Sequence, residues 1–277
     1  MWTRDSSCKS TILEAWSSFV RGSPSFSLHS KIKTTRFALR RWNRSKFGHC
    51  QRNISLLQNL ISSIQSREPT IENRHMEDAL VGDLNELLMR EEIMWRQRAK
   101  QKWLKDGDAN TRFFHLSTII HRRYNTIHSL KNSSGSFVHS WFDIGTLFHS
   151  YFKDLFTSSN PSYPLDLENI IPCIVSDEDN RGLLSIPTPC EIKKTVFSMA
   201  ANKTPGPDGM SPLFYKTYWD IVGIDVVKAV THFFETGHLL KAMNHTFITL
   251  IPKSDKANKV EQFRPISLCN GRNFKCF

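Results

Sequence analysis

Two cations near the carboxyl end of the sequence have the types and spacing of a phosphate-binding hairpin. Lys253 ends the apolar run "FITLIPK", and Arg264 follows a charged loop in "FRPISL". Arginine offers phosphate oxygens a rigid fork of N–H donors, and lysine offers a mobile point charge. The residues alone leave two interpretations open: a grip on a polyphosphate or nucleic-acid strand, or two ordinary surface charges.

A second candidate site is the mixture of cations and aromatic residues between positions 95 and 123. Such a mixture suits binding of an RNA or DNA backbone with occasional base stacking. The alternative is that the aromatic residues are core and the cations are simply exposed. We favour the core interpretation for Trp95, Trp103, Phe113 and Phe114, and nucleic-acid binding for the cations, which are Arg96, Arg98, Lys100, Lys102, Lys105, Arg112, Arg122 and Arg123.

Other patterns that could carry chemistry are better explained by structure. "TPGPDG" has prolines where a phosphate loop needs backbone N–H donors, so we expect it to be a stiff turn that Asp208 caps or fixes. The 6 cysteines form no CxxC pair, and the 11 histidines form no HExxH pattern. The residues therefore predict no metal site, and no catalytic residue is assigned.

Net charge supports a polyanionic partner. The chain carries 37 Lys and Arg against 26 Asp and Glu, a formal charge of +11. Residues 1–130 hold 22 of these cations and 12 of the anions, so almost all of the surplus lies in the first half. This asymmetry fits nucleic-acid binding, and it also fits the solvated surface of long helices.

The elements that would position these residues are mostly helical. Apolar residues recur near every 3.6 positions in residues 28–66, with a break near Gly48, and in residues 71–105. Further helices are predicted at 141–156, after the capping box of Thr188 and Glu191, and up to Gly237. Hairpins are predicted at 124–138 and 247–270. The fold class is mostly α with small β elements.

Segment boundaries follow from composition. Residues 157–190 hold five prolines among Ser, Asp and Asn, which is typical of a linker. We therefore divide the chain into a basic helical segment, 1–156, a linker, 157–187, and a second unit, 188–277. No signal peptide and no apolar run of about 18 residues is present, so we expect an intracellular protein without a membrane partner, with a nuclear location compatible with the sequence.

Five ordered strings resemble the polyproteins of plant-type non-LTR (LINE-type) retrotransposons. They are "RWNRSKFGHCQRNI", "EEIMWRQRAKQKWLKDGDANTRFFH", "YFKDLFTSSNP", "NKTPGPDGMSPLFYKTYW" and "FITLIPKSDKANKVEQFRPISLCN". Together they spread over most of the chain, from about residue 2 to residue 270. The resemblance implies a connector between an endonuclease and a reverse transcriptase, followed by an incomplete right-hand polymerase fingers region.

The same resemblance implies roles for particular residues. Lys253 and Arg264 resemble fingers residues that contact the triphosphate of the incoming dNTP. The family's palm aspartates, which hold Mg²⁺ in the complete polymerase, lie in "FxxDxxKAFD"-like and "YADD"-like strings that this sequence lacks. We therefore expect a fragment of an RNA-directed DNA polymerase that has RNA and DNA partners, no cofactor of its own and no activity alone.

Two alternatives stay open at this point. The basic helical half could be a nucleic-acid-binding module without any enzymatic role. The chain could also be the non-functional product of a decayed element.

Overall fold

The fold is built mainly from helices. The computed structural model describes residues 2–48, 50–99, 111–160, 162 and 174–270. Within these ranges it has ten α-helices and two antiparallel two-stranded sheets, which confirms the predicted fold class. The helices are α1 (Ser6–Trp16), α2 (Pro24–Phe47), α3 (Cys50–Gln65), α4 (Ile71–Ala99), α5 (Thr111–Asn125), α6 (Trp141–Phe156), α7 (Asp177–Leu184), α8 (Pro189–Ser198), α9 (Pro212–Thr217) and α10 (Trp219–Thr236). The strands are β1 (Leu130–Lys131), β2 (Phe137–Val138), β3 (Thr246–Pro252) and β4 (Phe263–Cys269).

Local sequence signals set several helix ends. At the start of α8 the Thr188 side chain accepts a hydrogen bond from the Glu191 N–H while the Glu191 carboxylate bonds back, which confirms the predicted capping box. Pro24 begins α2 behind the N-cap Ser23. Gly237 ends α10 with φ +67°, a left-handed conformation that glycine adopts without strain.

The larger core joins the two ends of the described chain. Side chains from α1 and α2 pack with side chains from α8, α9 and α10, among them Ile12, Leu28, Ile32, Ile192, Tyr215, Val222 and Val230. At its edge the Asp225 carboxylate accepts hydrogen bonds from Trp16 Nε1 at 2.7 Å and Lys31 Nζ at 2.9 Å. The first 47 residues and the region 189–243 therefore form one packed unit.

The core draws on both the predicted segment 1–156 and the predicted segment 188–277. The predicted linker contains α7, whose residues are all exposed and whose start is fixed by a capping box between Ser176 and Asp179. The boundaries at 156 and 188 stay a prediction about sequence organisation.

A smaller core positions the carboxyl-terminal hairpin. Leu130, Ile144, Phe148, Val260 and Phe263 are buried together. The rings of Phe148 and Phe263 meet edge to face with 5.2 Å between centroids. The Lys131 N–H also donates to the Asn258 carbonyl at 2.7 Å, which ties the β1–β2 hairpin to the β3–β4 loop.

Helices α3, α4 and α5 pack on one another in chain order, α3 against α4 and α4 against α5. The predicted helix 71–105 is confirmed as far as Ala99, and its last positions lie outside the described residues. Among the described helices, none combines the length and apolar character needed to cross a membrane.

Candidate phosphate- and nucleic-acid-binding sites

The β3–β4 hairpin brings Lys253 and Arg264 to the same face. The strands pair antiparallel, with Ile251 opposite Arg264 and Pro252 opposite Phe263. Opposed residues share a face of the sheet, and alternate residues along a strand share it too. Lys253 lies one residue beyond the end of β3, and its N–H continues the ladder to the Gln262 carbonyl, so continued alternation would place its side chain on the side of Arg264.

Both side chains are exposed. Lys253 Nζ donates to the Glu261 carbonyl at 2.6 Å, which holds the ammonium at the mouth of the loop and leaves it further N–H donors. The Lys253 N–H donates to the Gln262 carbonyl at 2.8 Å and extends the ladder by one residue. Within the described part of the chain, Arg264 makes no ion pair. The hairpin thus presents two cations that are available to an anion.

The two faces of the hairpin differ in character. Leu250 and Phe263 lie on the opposite face and pack into the smaller core. The face with the cations also carries Phe247, 57% exposed, and Ile266, 41% exposed. An anionic ligand with apolar parts, such as a nucleotide, matches this combination of charge and exposed apolar surface.

The "TPGPDG" turn holds the far end of β4. A Cβ at Gly206 would lie 2.3 Å from the Cys269 carbonyl oxygen, so the backbones approach too closely for any side chain there. The Asp208 N–H donates to Asn270 Oδ1 at 2.9 Å, and Asn270 Nδ2 donates to the Met243 carbonyl at 2.8 Å. We call Gly206, Asp208, Met243 and Asn270 the β4 clasp.

Asp208 has a structural role in this clasp. It is buried, and one carboxylate oxygen accepts from the Met210 N–H at 3.2 Å while the other accepts from the Tyr215 hydroxyl at 3.4 Å. This confirms that Asp208 fixes the turn. Arg36 Nη1 donates to the Pro207 carbonyl at 2.7 Å, so the clasp is also anchored to α2.

The predicted nucleic-acid-binding cations divide between the two ends of α5. Trp95 of α4 packs edge to face on His115 of α5, with 4.4 Å between ring centroids, so the end of α4 that carries Arg96 and Arg98 lies beside the start of α5 that carries Arg112. The Arg98 guanidinium carbon lies 5.0 Å from the Trp95 ring centroid. Lys100, Lys102 and Lys105 lie outside the described residues.

The other end of α5 approaches the hairpin. Arg122 and Arg123 are exposed there, about 15 Å along the helix from Arg112. Helix α5 contacts β3, and Tyr124 near its end hydrogen-bonds with the Asp255 carboxylate, so α5 ends beside the β3–β4 loop. The structure therefore associates Arg122 and Arg123 with the Lys253 end of the hairpin, and Arg96, Arg98 and Arg112 with the opposite end of α5.

The aromatic residues of this region are partly core. Phe114 is buried at 1% exposure, whereas Phe113 is 36% exposed. Trp95 is half-buried, and Trp103 lies outside the described residues. The core interpretation is confirmed for Phe114. Across the described ranges, no three His, Cys, Asp or Glu side chains converge as a group able to hold a metal ion.

Sequence reasoning missed the residues that anchor the hairpin. Asn270 and Met243 bond across 27 positions, and Arg36 reaches Pro207 across 171. No local pattern marks such partners.

Comparison with known proteins supports a transposon relationship. The chain is 27% identical over 174 residues to the "Transposon TX1 uncharacterized 149 kDa protein" of Xenopus laevis, a match that takes in 62% of this chain and 13% of that protein. No protein-family profile matches the chain. The similarity supports a retrotransposon-derived product. Its plant origin stays a prediction, since this relative is an amphibian protein.

Proposed function

We propose that the chain is the connector and the first part of the fingers of a non-LTR retrotransposon RNA-directed DNA polymerase. In this proposal the β3–β4 hairpin binds the triphosphate of a dNTP through Lys253 and Arg264. The observation that supports it most is the placement of both cations on one exposed face of an anchored hairpin. The similarity to a transposon protein supports the same assignment.

The chemistry of the hairpin suits binding and positioning. Arg264 can offer two parallel N–H donors to phosphate oxygens, and Lys253 can offset charge on a neighbouring phosphate. Phe247 and Ile266 provide apolar surface for the sugar or base. The β4 clasp and the smaller core hold the strands, so little ordering is needed when the ligand binds.

A direct test measures binding of a fluorescent dNTP analogue to the full chain. We expect Lys253→Ala and Arg264→Ala each to weaken binding by about tenfold, because a charge-assisted hydrogen bond contributes about 1.5–3 kcal/mol. Lys256→Ala is the matched control, since this exposed lysine lies in the same loop. Equal losses in all three variants would show that net charge, and not the hairpin face, binds the nucleotide.

The proposal assigns no polymerase activity to this chain by itself. The sequence contains neither of the aspartate strings that hold Mg²⁺ in the family. The hairpin residues can bind and orient a nucleotide, and they offer no carboxylate pair for the transfer step. Primer extension by the 277-residue chain with Mg²⁺ and dNTPs should be absent. Measurable extension would overturn this part of the proposal.

A second candidate is a nucleic-acid-binding module without an enzymatic role. The surplus of cations in the first half and the arginines at both ends of α5 favour it. The full chain should then shift a labelled RNA with an affinity that falls as salt rises. Replacement of Arg122 and Arg123 by Ala should weaken this binding but leave dNTP binding intact, and salt-independent binding would eliminate the candidate.

A further inference from the structure

Helix α2 has an unusual charge pattern. Its 24 residues include seven Lys and Arg and no Asp or Glu. Two of these cations serve the fold, since Lys31 pairs with Asp225 and Arg36 bonds to the Pro207 carbonyl. A third, Lys46, adds to the lowering of the Asp5 pKa, which is due mainly to the hydrogen bonds from Ser7. The remaining four are exposed, namely Lys33, Arg40, Arg41 and Arg44.

These four cations surround one exposed aromatic ring. Positions 33, 37, 40 and 44 are spaced by four, three and four residues, which aligns them along one side of an α-helix. Arg41 lies one turn beyond position 37 on the same side. Phe37 is 52% exposed, and the Arg36 guanidinium carbon lies 5.4 Å from its ring centroid. We call Lys33, Phe37, Arg40, Arg41 and Arg44 the α2 stripe.

Ion pairs within the described part of the protein do not offset the repulsion between the cations of the α2 stripe. Arg40 and Arg44 lie one turn apart, where like charges repel. Within the described residues, no carboxylate forms an ion pair with any cation of the stripe. The apolar face of α2, with Leu28, Ile32 and Leu39, already packs in the larger core on the other side. The stripe is therefore complementary to a ligand with closely spaced negative charges.

We infer that the α2 stripe binds single-stranded nucleic acid. Its cations contact successive phosphates, and Phe37 stacks on an unpaired base. Stacking requires an accessible base face, which a single strand offers and a duplex hides. Phe37 therefore selects a single strand among polyanions. This surface shares no residue with the hairpin or with the α4–α5 cations, so it does not depend on their proposed roles.

The test uses the full chain and a fluorescein-labelled single-stranded 20-mer, with binding followed by anisotropy across a salt series. The variant Arg40→Ala/Arg41→Ala/Arg44→Ala should bind at least tenfold more weakly. The slope of log affinity against log salt concentration should fall in magnitude by about 2, because each phosphate contact on a single strand contributes about 0.7 to it. Alanine favours helix, so α2 should remain folded, and a circular-dichroism melt checks this.

A matched control removes the same charge elsewhere. Lys193, Lys194 and Lys228 are exposed on α8 and α10. Their triple alanine variant should keep binding within about twofold of the wild type, since only charges near the bound strand release counterions. Equal losses in the two triple variants would overturn the assignment, and so would tighter binding to a duplex or to anionic vesicles than to the single strand.

Substitutions at Phe37 distinguish base stacking from purely electrostatic binding. Phe37→Leu keeps an apolar side chain but removes the ring, and it should weaken binding at least fivefold with an unchanged salt slope. Phe37→Tyr keeps the ring and should bind as the wild type does. If Leu and Tyr behave alike, the stacking contact is refuted. The variant Arg40→Ala/Arg41→Ala/Arg44→Ala should bind the fluorescent dNTP analogue as the wild type does, which separates this surface from the nucleotide site.

Discussion

A few buried polar residues determine how the hairpin is held. Asn270 is 5% exposed and satisfies two backbone groups at once, the Asp208 N–H and the Met243 carbonyl. Buried donors and acceptors without partners are costly, so the clasp depends on this one amide. The position of Arg264, near the other end of β4, therefore depends on this amide as well.

Asn270→Ala should lower the free energy of unfolding by about 1–3 kcal/mol, because it leaves both backbone groups unpaired in a buried site. Chemical denaturation measures the change. Asn244→Ala is the control, since the Asn244 side chain is exposed. A similar small effect in both variants would contradict the role given to the clasp.

The capping box of α8 predicts a pH dependence. The backbone N–H and then the hydroxyl of Thr188 donate to the Glu191 carboxylate and lower its pKa below the ordinary value of 4.5. Since the folded pKa is the lower one, this stabilisation is complete above pH 4.5 and is lost as pH falls through the folded pKa. Glu191→Ala should therefore destabilise the protein at pH 7 and much less at pH 3, as measured by urea unfolding at each pH.

At the scale of elements, the contact between α2 and α10 holds the larger core together. Asp225 lies at its edge and bonds to both Trp16 and Lys31. The Asp225 and Lys31 side chains are 21% and 17% exposed, so water only partly screens their attraction. Removing one partner of an ion pair in such a position costs more than it does on the open surface, because the other charge is left unpaired away from water.

Asp225→Ala should therefore destabilise the protein by about 1–3 kcal/mol, since it leaves Lys31 and the Trp16 N–H without their acceptor. Thermal or urea unfolding measures the loss. Asp220→Ala is the comparison, because its pair with Lys9 is exposed on both sides and should contribute little. Equal losses would show that burial does not distinguish the two pairs.

Elements with strong local signals could be predicted from the sequence. The periodicity of Leu28, Ile32 and Leu39 predicts α2, and Thr188 with Glu191 predicts the start of α8. In contrast, the sequence pattern does not predict α1, because the helix is short and its one apolar face has only three buried positions, Cys8, Ile12 and Trp16, spaced by four. The face that Lys253 and Arg264 share could not be predicted, because it depends on the pairing register of β3 and β4. The β4 clasp could not be predicted either, because its partners lie far apart in the chain and local sequence patterns do not identify them.

At the scale of the whole molecule, the two ends of the described chain depend on each other. The larger core takes its side chains from α1 and α2 on one side and from α8–α10 on the other. Neither half has a complete apolar interior alone. A truncated chain of residues 1–130 would expose the apolar face of α2. Binding is therefore measured on the full chain.

Removal of residues 1–47 should abolish cooperative unfolding, because it exposes the apolar side chains of α8–α10 to water. Differential scanning calorimetry and dye binding to exposed apolar surface measure the effect. Deletion of 177–184 is the control, since every residue of α7 is exposed. A sharp transition in the chain without residues 1–47 would refute the shared core.

The union of distant segments in one core also has a consequence for synthesis. The Tyr218 hydroxyl donates to Cys8 Sγ across 210 positions, so α1 and α2 leave the ribosome long before their partners exist. At about 5–20 residues per second, the wait from residue 47 to residue 243 lasts on the order of 10–40 s. During that interval the apolar side of α2 stays uncovered in the nascent chain. Slower translation between residues 47 and 243 therefore lengthens the time for which this apolar surface is open to aggregation.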